Sequence, residues 1–186
     1  MKVIGIVGSP RKGGNTEILT SHALKAISEE GLEIELVSLA GLDIRPCNAC
    51  GVCQKEEKCS IQDDFLPVYL KMKAADGIIL ASPVYYGSAT ALIKGVIERA
   101  GHMSHREVFK GKVGGPLVVA RRAGQNFTVA QLTFWFQILG MVVPGSTYWN
   151  MAFGREKGEV SKDEEGMRTA WNFGKNVAFV VRKLNS

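Results

Sequence analysis

The chain has 186 residues, of which 46% are hydrophobic and 22% charged, and its formal net charge is +5. This composition excludes a disordered or repetitive protein, and the length suits a single domain with its own core. No apolar run reaches the roughly 18 to 20 residues of a membrane span. Early glycines and a proline interrupt any signal-peptide pattern. No basic run is interleaved with aromatic residues, as nucleic-acid binding would require.

Short apolar runs then alternate with longer amphipathic stretches along the first half of the chain. KVIGIV at 2–7 predicts a strand buried on both faces. Apolar residues at helical spacing from 15 to about 30 predict a helix that ends at Gly31. The alternating EIELVSL at 33–39 predicts an edge strand, and 63–75 predicts a helix. Asp63-Asp64 would serve as its N-terminal cap, with neutralisation of a cation as the alternative role.

The second half continues the same alternation with three more strands and three more helices. In chain order these are strand 77–83, helix 89–101, strand 111–120, helix 125–140, strand 141–146 and helix 162–184. Strands that alternate with helices imply right-handed crossovers and a parallel sheet covered on both faces. We therefore predict a doubly wound α/β fold, and five strands favour the flavodoxin-like strand order 2-1-3-4-5.

The loop after the first strand, SPRKGGNT at 9–16, has the composition of a phosphate site. It carries cations at Arg11 and Lys12 and ends with Asn15 and Thr16 at a helix start, where backbone amides bind anions. An ordinary capped turn is the alternative. The loop matches neither G-x-x-x-x-G-K-[ST] nor G-x-G-x-x-G, which argues against an NTPase and a dinucleotide-binding dehydrogenase.

Two further loops follow predicted strands and reach the same sheet edge. SPVYYGSAT at 82–90 carries Tyr85 and Tyr86, whose planar rings suit stacking on a flat heteroaromatic ring, although one tyrosine could simply close the sheet end. ARRAGQN at 120–126 adds glycine and amide donors, and leaves open what its two arginines contact. With a phosphate site at the first loop, the three loops together predict a mononucleotide site.

All four cysteines fall within thirteen positions, as C-x2-C-x2-C-x5-C at Cys47, Cys50, Cys53 and Cys59. Disulfides are disfavoured in a protein without an export signal. Structural zinc usually joins two C-x2-C pairs across a longer span. The compact spacing favours one [4Fe-4S] cluster, with zinc or a cluster-free loop as alternatives. Because the chain has no other cysteine, Cys59 must bind that same cluster or the site is incomplete.

Taken together, the three loops resemble the flavodoxin-like NADPH-dependent FMN reductase superfamily, and the cysteine segment with Asp63-Asp64-Phe65 resembles its iron-sulfur flavoprotein branch. The similarity spans roughly residues 2 to 145. The resemblance implies FMN phosphate contacts from the first loop and contacts to the isoalloxazine ring from the other two. The residues concerned are Ser9, Arg11, Asn15 and Thr16 for the phosphate, with Lys12 beside them, and Pro83, Val84, Tyr85, Tyr86, Gly87, Ser88, Gly124 and Gln125 for the ring.

The expected function is that of a cytoplasmic redox flavoprotein with FMN and a [4Fe-4S] cluster. Electrons would pass from a ferredoxin-like donor through the cluster to FMN and on to a small-molecule acceptor, without a catalytic acid, base or nucleophile. The cysteine segment follows the second strand, so we expect cluster and flavin to be near neighbours, within one subunit or across an interface. The alternatives are a cluster-free NAD(P)H-dependent FMN or quinone reductase and a flavin-binding electron carrier without turnover.

The stretch FTVAQLTFWFQILGMVV at 127–143 is apolar on nearly all sides when drawn as a helix. A helix of this kind exposes more apolar surface than one sheet face can cover. We therefore predict that part of it lies in a subunit interface. The resemblance, to a family in which dimers and tetramers are usual, implies a homodimer or homotetramer.

Overall fold

The protein is described by a computed structural model over residues 1–56, 58–105 and 107–186. These residues form a five-stranded sheet in the order β2-β1-β3-β4-β5, in which every strand pair is parallel. The predicted doubly wound α/β fold and its strand order are therefore confirmed. The strands are β1 (Lys2–Val7), β2 (Glu33–Ser38), β3 (Gly77–Pro83), β4 (Val113–Ala120) and β5 (Met151–Phe153). The helices are α1 (Asn15–Glu29), α2 (Phe65–Ala74), α3 (Ala91–Met103), α4 (Gln125–Ile138) and α5 (Glu164–Leu184).

Two apolar layers cover the sheet, one on each face. Ile4 and Ile78 point into the layer under α2, α3 and α4, whereas Val3 and Ile79 point into the layer under α1 and α5. Adjacent residues of a strand face opposite sides of the sheet. Because both sides are buried, the central strands read as unbroken apolar runs. In the part of the chain that the structure describes, none of the helices has the length and apolarity to cross a bilayer.

The prediction of a fifth strand at 141–146 is wrong. Val142 makes only an isolated parallel bridge to Val113 at the start of β4, and the fifth strand is Met151–Phe153, beside the end of β4. Pro144 has no amide hydrogen for a sheet ladder, so pairing cannot continue from Val142 through this stretch. The apolar pattern marked the right sheet edge, but it placed the strand too early in the chain.

The prediction that Asp63-Asp64 caps α2 is wrong for Asp64. Asp64 occupies the N-cap position but makes no side-chain capping bond, and its Oδ2 accepts a hydrogen bond of 2.8 Å from the amide of Asp43. The Asp64 amide in turn donates to the carbonyl of Asp43. Asp63 contributes one bond to the helix start, accepting from the amide of Phe65 at 3.2 Å. The two carboxylates therefore close the base of the cysteine segment.

Helices α1 and α5 approach each other closely at Gly174. A Cβ atom at this position would lie 2.3 Å from the carbonyl oxygen of Ala23, a distance that real Cβ atoms do not adopt. Gly174 is fully helical, so its role here is to permit contact rather than an unusual backbone angle. The contact fixes α1, whose N-terminus forms part of the pocket described below.

We predict that Gly174→Ala lowers the free energy of unfolding by about 1–3 kcal/mol, the usual cost of overpacking. Helix propensity alone would raise the free energy of unfolding by about 1 kcal/mol, because alanine favours a helix more than glycine does. Urea denaturation of the variant checks the sign. Lys175→Ala, at the exposed neighbouring position, is the control and should stay within about 0.5 kcal/mol of the parent protein. A stabilised Gly174→Ala protein would show that the helices are not in close contact.

Candidate functional site

A pocket of about 260 Å³ opens at the carboxyl edge of the sheet, where the loops after β1, β3, β4 and β5 meet. We call it the edge pocket. Ligands of doubly wound sheets bind at this edge. Seven of the residues predicted for the mononucleotide line it. The lining residues are Ser9, Arg11, Gly14, Asn15, Thr16, Pro83, Val84, Tyr85, Val119, Arg121, Gly154, Arg155 and Lys157.

The loop after β1 is folded so that the start of α1 faces this pocket. Ser9 is buried, and its Oγ accepts a hydrogen bond of 3.1 Å from the amide of Arg11, which tightens the turn. Glu17 accepts from the amide of Gly13 at 3.1 Å and holds the other side of the loop. The first amides of α1 have no acceptor within the helix, so this end can bind an anion.

Asn15 lines the pocket but uses its side chain to hold a distant loop. Its Oδ1 accepts from the amide of Gly158 at 2.8 Å and, more weakly, from Val160 at 3.4 Å. Its Nδ2 donates to the carbonyl of Glu156 at 2.8 Å. The segment 154–160 is therefore fixed against the start of α1, and what Asn15 itself can offer a ligand is its main-chain amide.

This arrangement brings cations to the pocket that sequence reasoning did not include in the site. Arg155 and Lys157 enter on the loop held by Asn15, and Lys157 Nζ would lie 3.2 Å from a Cβ atom placed on Gly13. Arg121, whose role was left open, also lines the pocket. Together with Arg11 they make four cations, and no carboxylate is among the described lining residues. The pocket is thus suited to a phosphate group.

The loop after β3 forms a tight hairpin beside the pocket. The amide and carbonyl of Tyr85 pair with those of Ser88, and the two residues between them have positive φ angles. Tyr86 has a φ of 51° and its side chain is fully exposed, at 107% relative accessibility. A large residue in this conformation is strained, and such strain is concentrated at functional sites. An exposed ring at the pocket edge is free to cover a bound ligand.

Six of the predicted residues do not line the pocket, and several support its wall instead. Gly124, with a φ of 87°, packs so closely on this hairpin that a Cβ atom would lie 2.9 Å from the Cα of Gly87. Ser88 donates to the side chain of Gln131. Gln125 has a buried Oε1 without a hydrogen-bond partner in the described residues, so it can still accept a bond from a ligand. The six are Lys12, Tyr86, Gly87, Ser88, Gly124 and Gln125.

A second cavity, of about 100 Å³, is lined by all four cysteines. We call it the cysteine cavity. Cys50 is exposed and the other three are half-buried. Arg99, His102 and Met103 of α3 form its inner wall. The cavity is also lined by Asn48, Ala49, Gly51, Gln54, Ser60 and Ile61.

Polar groups already point at three of the four sulfurs. The amide of Ala49 donates to Cys47 Sγ at 3.4 Å, and Arg99 Nη2 donates to Cys59 Sγ at 3.2 Å. Cys50 Sγ lies 3.0 Å from the hydroxyl of Ser60, and this hydrogen bond lowers the pKa of the Cys50 thiol below its ordinary value. Donors of this kind stabilise negative charge on sulfur.

Burial raises the pKa of the Cys53 thiol, and the charges of the other three cysteines raise it further. Four thiolates in one cavity therefore oppose each other unless a cation is present. Thiolates are the ligands of iron-sulfur clusters and of zinc, so the donor set fits either centre. Over the described residues, no three His, Cys, Asp or Glu side chains are already arranged as metal ligands.

The two cavities lie toward opposite ends of α3 and share no lining residue. Thr90, the N-cap of α3, donates from Oγ1 to the carbonyl of Gly8 at 2.6 Å, which places the start of the helix at the carboxyl edge. Arg99 is nine residues further on, or about 14 Å along the helix axis. The start of the cysteine segment lies along α3, where a Cβ atom on Gly95 would be 3.3 Å from the carbonyl oxygen of Arg45 and Arg99 donates to the same carbonyl. The segment therefore leads away from the carboxyl edge.

Comparison with known proteins matches this chain to a flavin reductase family and to proteins named iron-sulfur flavoproteins. A sequence model of the family described as NADPH-dependent FMN reductase matches residues 1–156. An iron-sulfur flavoprotein of Methanocaldococcus jannaschii is 43% identical over 191 residues, covering 99% of each chain. Another, from Methanosarcina thermophila, is 38% identical and covers 99% of this chain and 97% of its own.

Solved structures support the fold at lower sequence identity. RosB, solved with bound 8-demethyl-8-formylriboflavin-5'-phosphate, has a TM-score of 0.80 at 18% identity, covering 100% of this chain and 80% of that chain. A flavodoxin from the domain Archaea has a TM-score of 0.67 at 13% identity, covering 98% of this chain and 99% of that chain. Both share the doubly wound architecture described above.

We predict that Asn15→Ala releases the segment 154–160 from the edge pocket. Three hydrogen bonds are lost and the partly buried backbone amides of Gly158 and Val160 lose their acceptor, which costs about 1–3 kcal/mol. Limited proteolysis should then cut within 154–160, where the parent protein resists. Asn176→Ala, which removes one exposed bond to Gly145, is the control and should leave this segment protected. Equal protection in the Asn15 variant would show that another contact holds the loop.

Proposed function

The chain belongs to the NADPH-dependent FMN reductase family and is an FMN-dependent oxidoreductase, and on this basis we propose that it is an iron-sulfur flavoprotein with one FMN and one [4Fe-4S] cluster. We further propose that residues 1–186 form one FMN-binding domain, with the cluster segment at 45–62. The observation that carries the proposal is the presence of four cysteines around one cavity in a chain that also has an anion-binding pocket at its carboxyl edge.

The edge pocket would hold FMN by its phosphate and its ring. Phosphate would meet the first amides of α1 and the cations Arg11, Arg155 and Lys157, which balance its charge. Pro83, Val84 and Tyr85 would face the ring, and the free Oε1 of Gln125 can accept a hydrogen bond at the ring's polar edge. Tyr86 would cover the ligand from the open side.

The cysteine cavity would hold the cluster through Cys47, Cys50, Cys53 and Cys59. When bound, the cluster exchanges one electron at a time and FMN stores two, so two single-electron deliveries complete one two-electron reduction. The chain's own part is to direct N–H groups at the sulfurs, which tunes the potential. No acid, base or nucleophile is needed for this chemistry.

The partners would be a ferredoxin-like electron donor or NAD(P)H, a small-molecule acceptor, and further copies of this chain. Because the cavities lie toward opposite ends of α3, we include electron transfer between copies in the proposal. An apolar surface for such contact is present: Phe127, Phe134 and Ile138 of α4 are 75%, 66% and 61% exposed. Tyr148 and Trp149 extend it and are more than half exposed. A homodimer or homotetramer would bury these side chains.

One observation favours the second candidate, a cluster-free NAD(P)H-dependent FMN or quinone reductase. Beside the edge pocket, Arg121, Arg155 and Lys162 line an open cavity. The carboxylates of Glu159 and Asp163 in this cavity are bonded to backbone amides. Arg155 also pairs with Glu156 at 3.2 Å, so Arg121 and Lys162 are the cations that this cavity would offer first to the phosphate groups of a pyridine nucleotide.

Comparing the binding of FMN with that of riboflavin tests whether Arg155 and Lys157 contact the phosphate or the ring. We predict that Arg155→Gln/Lys157→Gln weakens FMN binding at least tenfold, because charged hydrogen bonds contribute about 1.5–3 kcal/mol each. Riboflavin, which lacks the phosphate, should bind both proteins within about twofold. Fluorescence titration measures both constants, and Lys175→Gln, on the exposed face of α5, is the charge control. Equal weakening for both ligands would place these cations at the ring instead.

Iron analysis tests the cluster. Protein purified without oxygen should contain about four iron and four sulfide atoms per chain, as one [4Fe-4S] cluster requires, and Cys59→Ser should lose most of the cluster. Lys55→Ala, an exposed position in the same segment, should keep it. Stoichiometric FMN without iron, together with unchanged flavin reduction by NADPH in the Cys59 variant, would contradict the proposal and select the cluster-free reductase.

A further inference from the structure

We propose that Arg99 is a positioning residue for the cluster: it closes the base of the cysteine segment and donates a hydrogen bond to the sulfur of Cys59. This inference rests on the proposed function. It assigns a role to a cation that lies in neither the phosphate site nor the ring site.

Arg99 is buried to an extent that is unusual for its residue type. Its residue accessibility is 2%, and the side chains of Arg99 and Asp63 are 1% and 0% exposed. Arginine is almost never fully buried unless it is paired, because removing a charge from water is costly. The pairing with Asp63 offsets this cost and holds the charge beside Cys59.

The guanidinium group joins both ends of the cysteine segment. Nη1 and Nη2 form a forked pair with the carboxylate of Asp63, at 2.6 and 2.9 Å. Nη1 also donates to the carbonyl of Arg45, before the first cysteine, at 3.2 Å. Nη2 donates to the carbonyl of Ile61, after the last cysteine, at 3.3 Å. The base of the segment is thus closed by protein contacts that do not require the cluster.

The same Nη2 donates to Cys59 Sγ at 3.2 Å, so the closure and the sulfur contact belong to one rigid group. The ring of Phe65 packs on the guanidinium carbon at 4.1 Å and restricts its plane. The guanidinium group is a cation, because arginine is not deprotonated in proteins, and its Nε stays buried without a partner in the described residues.

The N–H group and the positive charge of Arg99, placed beside Cys59 Sγ, would change the reduction potential of the cluster. One-electron reduction adds one negative charge to the cluster and its sulfurs, and no proton leaves Arg99, which stays protonated. The hydrogen bond is stronger to the more negative state, so it raises the reduction potential. Lysine cannot replace this function, because its ammonium group lacks the planar fork that reaches Asp63 and Cys59 together.

The first test needs only the apoprotein and Co²⁺, whose thiolate absorption bands report binding to cysteine. Arg99→Lys keeps the charge and should weaken Co²⁺ binding at least tenfold, the usual loss when a partner of a metal ligand is removed. The second test is the midpoint potential of the reconstituted cluster. In Arg99→Lys this potential should be more negative than in the parent protein, by about 59 mV if the equilibrium constant for one-electron reduction falls tenfold.

Arg182→Lys is the matched control. Arg182 also donates to a carboxylate and to a main-chain carbonyl, those of Glu30, but it lies on α5 away from the cysteines. This variant should retain both the Co²⁺ affinity and the potential. If folded Arg99→Lys also retains both within twofold, Arg99 does not act on the sulfurs. If the parent protein binds neither Co²⁺ through thiolates nor iron, the proposed function itself fails.

A measurement on the unchanged protein applies even if Arg99→Lys does not fold. In protein loaded with cadmium, NMR should show scalar coupling between the metal and an Nη proton of Arg99, since such coupling passes through an N–H···S hydrogen bond. Coupling to the proton confirms the contact. Its absence, with the cadmium bound by all four cysteines, would overturn the inference.

Discussion

Helix α3 is held at both ends by buried polar contacts, and both cavities depend on them. At its start, the hydroxyl of Thr90 bonds to the carbonyl of Gly8 and ties the helix to the loop after β1. Near its end, Arg99 pairs with Asp63 and closes the cysteine segment. The helix therefore fixes where the edge pocket and the cysteine cavity lie relative to each other, since Thr90 and Arg99 are about 14 Å apart along its axis.

The edge pocket owes its charge to a contact that is remote in sequence. The β1 loop alone contributes one lining cation, Arg11, whereas Arg155 and Lys157 come from a segment some 140 residues later. Asn15 joins the two with its side chain. The pocket can thus hold an anionic group with the amides of α1 and the cations of a second loop, which is more charge than the first loop supplies by itself.

Sequence patterns predicted those features that depend on local periodicity and on strand direction. Unbroken apolar runs identified the buried strands, and the parallel arrangement placed Ser9, Pro83 and Tyr85 at one edge. Contacts between distant residues were not predictable in this way. Asp64 bonds to Asp43 instead of capping α2, and nothing in the local sequence distinguishes the two roles. The burial of Arg99 had one available signal, an arginine at an otherwise buried position of α3, but its partners are set by the tertiary fold.

The central claim is that the cysteine cavity supplies electrons to the flavin. Rapid mixing of oxygen-free protein with a reduced ferredoxin, followed at the flavin absorbance, tests this directly when the parent protein is compared with Cys47→Ser/Cys50→Ser loaded with FMN. The account predicts that the flavin of the parent bleaches and that the variant, although it binds FMN equally well, loses this reduction. Reduction of the variant's flavin at the parent's rate would contradict it.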